Sequence, residues 1–114
     1  MKYEVMMTSQ AVADLRTVFE YIAYELLAGQ TALNQLDRLE KAIEGLEEMP
    51  ERHHVYEKEP WKSRNLRVMP VDNYLVFYIA EKEEKRVTVI RIMYGRRDIE
   101  TQLKAHTPDK GSGK

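Results

Sequence analysis

Cysteine is missing altogether from this 114-residue chain. Its absence excludes a disulfide framework and any thiolate metal site. No apolar run approaches the length needed to span a bilayer, and the opening Met1-Lys2-Tyr3-Glu4-Val5 lacks the apolar stretch of a secretion signal. The expectation is therefore no membrane and a cytoplasmic location. No glycine-rich phosphate loop, no readable Ser/His/Asp arrangement and no internal repeat are present. The neighbouring His53 and His54 are poorly placed to share one metal, and no carboxylate stands beside them at helical ligand spacing. Neither a metal nor a cofactor is expected.

Charge of one sign is also lacking overall, since 18 Lys/Arg nearly balance 19 Asp/Glu. The balance hides an asymmetry. Residues 1–59 carry 6 Lys/Arg and 12 Asp/Glu, whereas residues 60–114 carry 12 and 7. An acidic half and a basic half imply different neighbours for each. With 43% hydrophobic residues the chain can fill one core. Residues 1–105 read as a single domain and residues 106–114 as a disordered tail.

The apolar spacing predicts the element order. Residues 3–8 read as a strand. Ser9 is suited to cap a helix, and Val12, Leu15, Phe19, Ile22 and Leu26 recur on one helical face. Gly29 is placed to end that helix. Thr31 then opens a second one with Leu36, Leu39, Ile43 and Leu46 as its stripe, stopped by Pro50. Residues 51–63 have no period and read as a loop. Residues 64–69 read as a strand, with Leu66 and Val68 on one face and Arg67 and Met69 on the other. Pro70 to Asn73 read as a turn, and Tyr74 to Ala80 as a central strand. Residues 86–94 form the last strand, with Val87, Val89, Arg91 and Met93 on one face. Asp98 is placed to cap a short helix. The fold class is α+β: an N-terminal strand and an αα-hairpin packed on an antiparallel sheet of about four strands, in the order β-α-α-β-β-β. The sheet face away from the hairpin is expected to stay partly open.

This order resembles the RelE/ParE superfamily, the toxins of bacterial type II toxin–antitoxin pairs, with the ParE-like or plasmid stabilisation subgroup the better match. The resemblance rests on Ala11-Val12-Ala13-Asp14-Leu15 with Tyr21-Ile22-Ala23, and on Leu46 with Met49-Pro50. It continues through the stretch from Leu66 to Tyr78 and the close Val89-Ile90-Arg91-Ile92-Met93-Tyr94-Gly95-Arg96-Arg97-Asp98. It implies a cognate antitoxin that wraps the toxin, and inhibition of growth by one of two routes. ParE-type members poison DNA gyrase; RelE-type members cut mRNA in the ribosomal A site.

Matched onto the RNA-cleaving type, Arg97 falls at a catalytic arginine and Arg96 at a neighbouring lysine, with Arg67 near two further lysines. Leu75 and Leu103 stand where that type has an arginine and a tyrosine. Leucine can neither donate to a phosphate nor move a proton. The expectation is a ParE-like toxin that binds gyrase. The alternatives are a ribosome-dependent mRNA endonuclease and a non-toxic antitoxin-binding module. Arg67, Arg96 and Arg97 are the candidate catalytic or phosphate-holding residues, because guanidinium forks pair with phosphate oxygens bidentately. Each has a plainer reading. Arg67 can pair with Asp72, Asp98 or a helix carboxylate. Arg96 and Arg97 can be a solvated edge. A buried Arg91 needs a carboxylate. His53 or His54 can serve as acid or base if the loop folds over the site. Trp61, Tyr56 and Tyr78 can stack on bases, although core filling suits Tyr78 better and a loop anchor suits Trp61.

Overall fold

The computed structural model describes residues 2–95 and 99–106. Its order is β1 (Glu4–Met7), α1 (Ser9–Glu20), α2 (Gly29–Glu44), β2 (Arg67–Val71), β3 (Tyr74–Glu81), β4 (Arg86–Tyr94) and α3 (Ile99–His106). The four strands form one sheet ordered β1-β4-β3-β2. β2, β3 and β4 form the expected antiparallel meander. β1 differs, joining β4 in parallel from Glu4↔Arg86 to Met7↔Val89, so the sheet is mixed. The helical hairpin between β1 and β2 is the crossover that lets the two edges lie this way.

Thr8, not Ser9, caps α1. Its Oγ1 accepts from the Ala11 N–H at 3.0 Å and donates to the Ile90 carbonyl at 2.9 Å. One hydroxyl thus starts the helix and ties it to β4. The buried stripe of α1 is Ala11, Asp14, Leu15, Val18 and Ile22, while Val12 and Leu26 are exposed. The stripe is rotated from the expected one because Asp14, a polar residue, takes an inward position. The hairpin also turns earlier than Gly29. A π-helical turn at Tyr21–Glu25 ends the first helix, Leu27 adopts a left-handed φ of 52°, and Gly29 begins α2. Thr31 therefore lies inside α2, capped by Ala28 without a side-chain bond.

Helix α2 buries Leu39 and Ile43, followed by Leu46 in a 3₁₀ turn, as its spacing predicts. These pack with Val76, Tyr78, Val87, Val89 and Ile92 on the hairpin face of the sheet. Truncating a wholly buried leucine such as Leu39 to alanine costs about 2–5 kcal/mol. Pro70 lies in β2 rather than in the turn, opposite Leu75, and an edge strand tolerates the missing N–H. The turn is Asp72-Asn73 alone, with Asp72 at φ 55°.

The second face of the sheet is covered, contrary to the expectation of an open one. Trp61 and Leu66 from the long loop and Leu103 from α3 close over Phe77, Ile90 and Met93. The two faces of β4 are exchanged midway by a bulge. Phe77 pairs with Arg91 but Tyr78 pairs with Val89, which leaves Ile90 as the extra residue. Val87 and Val89 therefore face the hairpin, and Met93 faces the other side. No helix among the described residues is long and apolar enough to cross a membrane.

Candidate functional site

Of the three candidate arginines, the described residues include Arg67. It opens β2 opposite Tyr78, on the hairpin side of the sheet rather than on an open face. Its Nη1 donates to the carbonyls of His53 at 2.7 Å and Glu51 at 3.1 Å. Those oxygens belong to a tight segment after α2, where Met49 takes a left-handed φ of 51° and Pro50–Arg52 form a 3₁₀ turn. The Tyr78 hydroxyl donates to the Pro50 carbonyl from a fully buried ring. Burial pushes that phenol up to about 12, against the lowering effect of Arg67 and Arg52. Arg67 and Tyr78 thus clamp one short backbone segment onto the sheet.

Asp72, a carboxylate weighed as Arg67's partner, is engaged elsewhere. It accepts from Arg38 Nε at 2.7 Å and Gln35 Nε2 at 2.9 Å, both on α2. Those bonds hold its carboxyl below the usual range. The β2–β3 turn is thereby fastened to the second helix.

His53 lies beside the clamp with its ring edge-on to Tyr78, centroids 6.3 Å apart. Burial, and then the positive charges of Arg52, His54 and Arg67, hold its pKa below the ordinary histidine value. Among the described residues no group of three or more His, Asp or Glu side chains is arranged to hold a metal.

Arg96, Arg97 and Asp98 lie outside the described residues. Their point of departure is defined. Tyr94 pairs with Tyr74, and the Gly95 N–H donates to the Asn73 carbonyl at 2.9 Å. A Cβ on Gly95 would sit 3.3 Å from that oxygen and 3.6 Å from Leu75 Cγ. The glycine lets β4 close against the β2–β3 turn before the chain leaves the sheet. Arg67 sits opposite Tyr78, four residues along β3 from Tyr74, or about 13 Å of strand. Leu75 packs with the second core cluster and Leu103 is wholly buried there.

Arg91 is buried and paired with Asp14, as its apolar surroundings demand. Trp61 is a buried anchor for the loop, with Arg64 over its ring at 5.0 Å. Sequence reasoning did not single out the exposed Tyr24 in the π-helical turn, and used Tyr21 only within the family resemblance. The apolar spacing had continued that helix through Leu26, which concealed the change of helical pitch.

Residues 5–99 match the family described as ParE toxin of type II toxin–antitoxin system, parDE. No curated protein matches the sequence. Among solved structures, the chromosomal ParDE toxin–antitoxin system of P. aeruginosa superposes with TM-score 0.66 at 16% identity, over 82% of this chain and 96% of that one. A mutant E. coli RelE toxin in the free state gives 0.62 at 15%, over 94% and 95%. The archaeal RelE–RelB complex from Pyrococcus horikoshii gives 0.58 at 19%, over 85% and 99%. These likenesses show a shared fold for ParE-type and RelE-type toxins alike. With the family match covering most of its length, the chain belongs to the ParE toxins of type II toxin–antitoxin systems.

Proposed function

We propose that this toxin inhibits growth by binding DNA gyrase and does not cut ribosome-bound mRNA. The observation that carries the reading is the packing of Leu75 and Leu103 into the apolar cluster behind the sheet. In the RNA-cleaving type the resemblance puts an arginine and a tyrosine at those positions. Apolar side chains there supply neither charge stabilisation nor proton transfer to a 2′-hydroxyl attack. The use of Arg67 Nη1 on two backbone carbonyls supports the same reading. In it, Arg96 and Arg97, within the basic half, contact the target. An antitoxin partner belongs to the proposal, since the similar P. aeruginosa and P. horikoshii structures are toxin–antitoxin assemblies.

One observation favours mRNA cleavage as a second reading. The His53 imidazole, edge-on to Tyr78 and with its pKa lowered by burial and by Arg52 and Arg67, offers a base beside cations, a pairing that suits phosphodiester chemistry. A supercoiling assay with purified gyrase, run beside a translation-coupled mRNA cleavage assay, decides between them. The expected result is lost supercoiling with intact mRNA. Cleaved mRNA with normal supercoiling would reverse the assignment.

A further inference from the structure

The tip of the helical hairpin carries an unusual surface. Tyr21 is 53% exposed, Tyr24 is 68% exposed, and Leu27 beyond them is 86% exposed. They lie on and just after the π-helical turn Tyr21–Glu25, closed by the Leu26 N–H donating to the Tyr21 carbonyl at 3.2 Å. Such wide turns displace side chains from the regular helical rows. Here Thr17, Glu20, Tyr21, Tyr24 and Glu25 line a shallow recess of ≈ 400 Å³.

Three features of the recess have one sign. Glu20 and Glu25 form no ion pair among the described residues. Glu20 ends α1 and Glu25 ends the π-helical turn that continues it, and neither last turn holds a basic residue. That end of a helix carries partial negative charge and is ordinarily matched by a cation. The two tyrosines add ring faces with negative quadrupole, which attract ammonium and guanidinium groups. Among the described residues no ion pair reaches the carboxylates and no basic residue stands in either last turn. Leu26, Leu27 and Leu33, on or near the same hairpin tip, are exposed apolar side chains.

We infer that the Tyr21–Tyr24 recess is a docking subsite for a partner polypeptide that inserts a lysine or arginine side chain between leucine-type residues. The occupant is basic at this point, because an acidic segment would meet Glu20 and Glu25 with like charge. The inference rests on the hairpin and not on the choice of gyrase as target, so a failed supercoiling assay leaves it standing and the reverse also holds.

The test uses the full chain and two amphipathic helical peptides that are identical except at one central residue, lysine in one and glutamate in the other, each flanked by leucines. Calorimetry measures affinity, and NMR of the tyrosine rings locates binding. The lysine peptide is expected to bind about tenfold more tightly, the combined reach of an exposed cation–π contact and exposed ion pairs. Its binding shifts the Tyr21 and Tyr24 ring signals. Replacing both carboxylates, with Glu20→Gln and Glu25→Gln, reduces the preference to less than about twofold, and Tyr24→Ala weakens the lysine peptide several-fold. These side chains are exposed, so the melting temperature serves as the folding control. Equal affinities, tighter binding of the glutamate peptide, no binding of either, or a preference that survives the double substitution would each overturn the inference.

Discussion

Arg91 of β4 grips Asp14 of α1 at two points, Nε to Oδ2 at 2.8 Å and Nη2 to Oδ1 at 3.2 Å. The same Asp14 accepts from the Ile92 backbone N–H at 2.9 Å. β1 ends at Met7 opposite Val89, so beyond that point β4 has no neighbouring strand on this side. A helix carboxylate thus accepts a backbone donor that a longer β1 would have served. The arginine completes the arrangement by donating Nη1 to the Gln102 carbonyl of α3 at 2.8 Å. One buried pair joins two helices and the truncated edge of the sheet.

Removing one partner is therefore expected to be costly. Asp14→Ala leaves the buried guanidinium without its carboxylate and the Ile92 N–H without an acceptor, a loss of about 3–5 kcal/mol. The double variant Asp14→Leu with Arg91→Met removes both charges and is expected to recover a good part of that loss. Urea unfolding of the two singles and the double measures this. Full additivity of the single losses would show that the two side chains do not act as a pair.

The pH dependence near neutrality is expected to come from His53. Its folded pKa lies below 6.5, mainly through burial. As pH falls below about 6.5 the unfolded chain takes up a proton that the folded chain resists. Stability therefore drops with falling pH from there down through the folded value, and is flat above it. His53→Phe should flatten this limb of the stability curve while leaving the lower, carboxylate limb in place. Asp72 contributes to that lower limb in the same direction, since its folded form also resists the proton. Its depressed pKa gives stability above its unfolded value that is lost as acid protonates it.

The parts of the fold legible in the sequence were those with a local period. Leu39, Ile43 and Leu46 announce α2 by spacing alone, and Tyr74 to Ala80 announce a central strand by composition. The parts that were not legible depend on distant partners. Thr8 outcompetes Ser9 as a cap because Ile90, 82 residues on, receives its hydroxyl. The bulge at Ile90 follows from pairing with β3 and leaves no mark in the alternation of β4. Trp61 and Leu103 cover the second face from segments whose apolar residues are too sparse to show a period. At the site, Arg67 was recognisable as a cation, but its partners are the carbonyls of Glu51 and His53. Backbone acceptors are the same for every residue type, so no side-chain pattern reveals them.

Tyr78 is expected to report on the clamp at high pH. With its phenol pushed to about 12, the unfolded chain loses this proton near pH 10 while the folded chain retains it. Stability should fall between those two values, and Tyr78→Phe should reduce that slope, leaving the part due to Tyr3 and Tyr74, whose phenols are also pushed up. The same substitution leaves the buried Pro50 carbonyl without its donor, at a cost of about 1–3 kcal/mol near neutral pH. Ultraviolet titration gives the direct check. One tyrosine of the seven should ionise after the rest in the wild type and be missing in the variant.

The proposed role of the arginine pair separates binding from folding. Gly95 brings the end of β4 against Asn73 and Leu75. Reversing both charges, Arg96→Glu with Arg97→Glu, should abolish growth inhibition while changing the melting temperature little. Gly95→Val should act differently. Its side chain would press on the Asn73 carbonyl, lowering stability and weakening toxicity together. Induction from a tight promoter, with growth, antitoxin-free expression level and thermal melting measured on the same variants, tells these cases apart. Toxicity that survives the double charge reversal at normal expression would remove Arg96 and Arg97 from the target-binding surface and leave the hairpin side of the molecule to carry it.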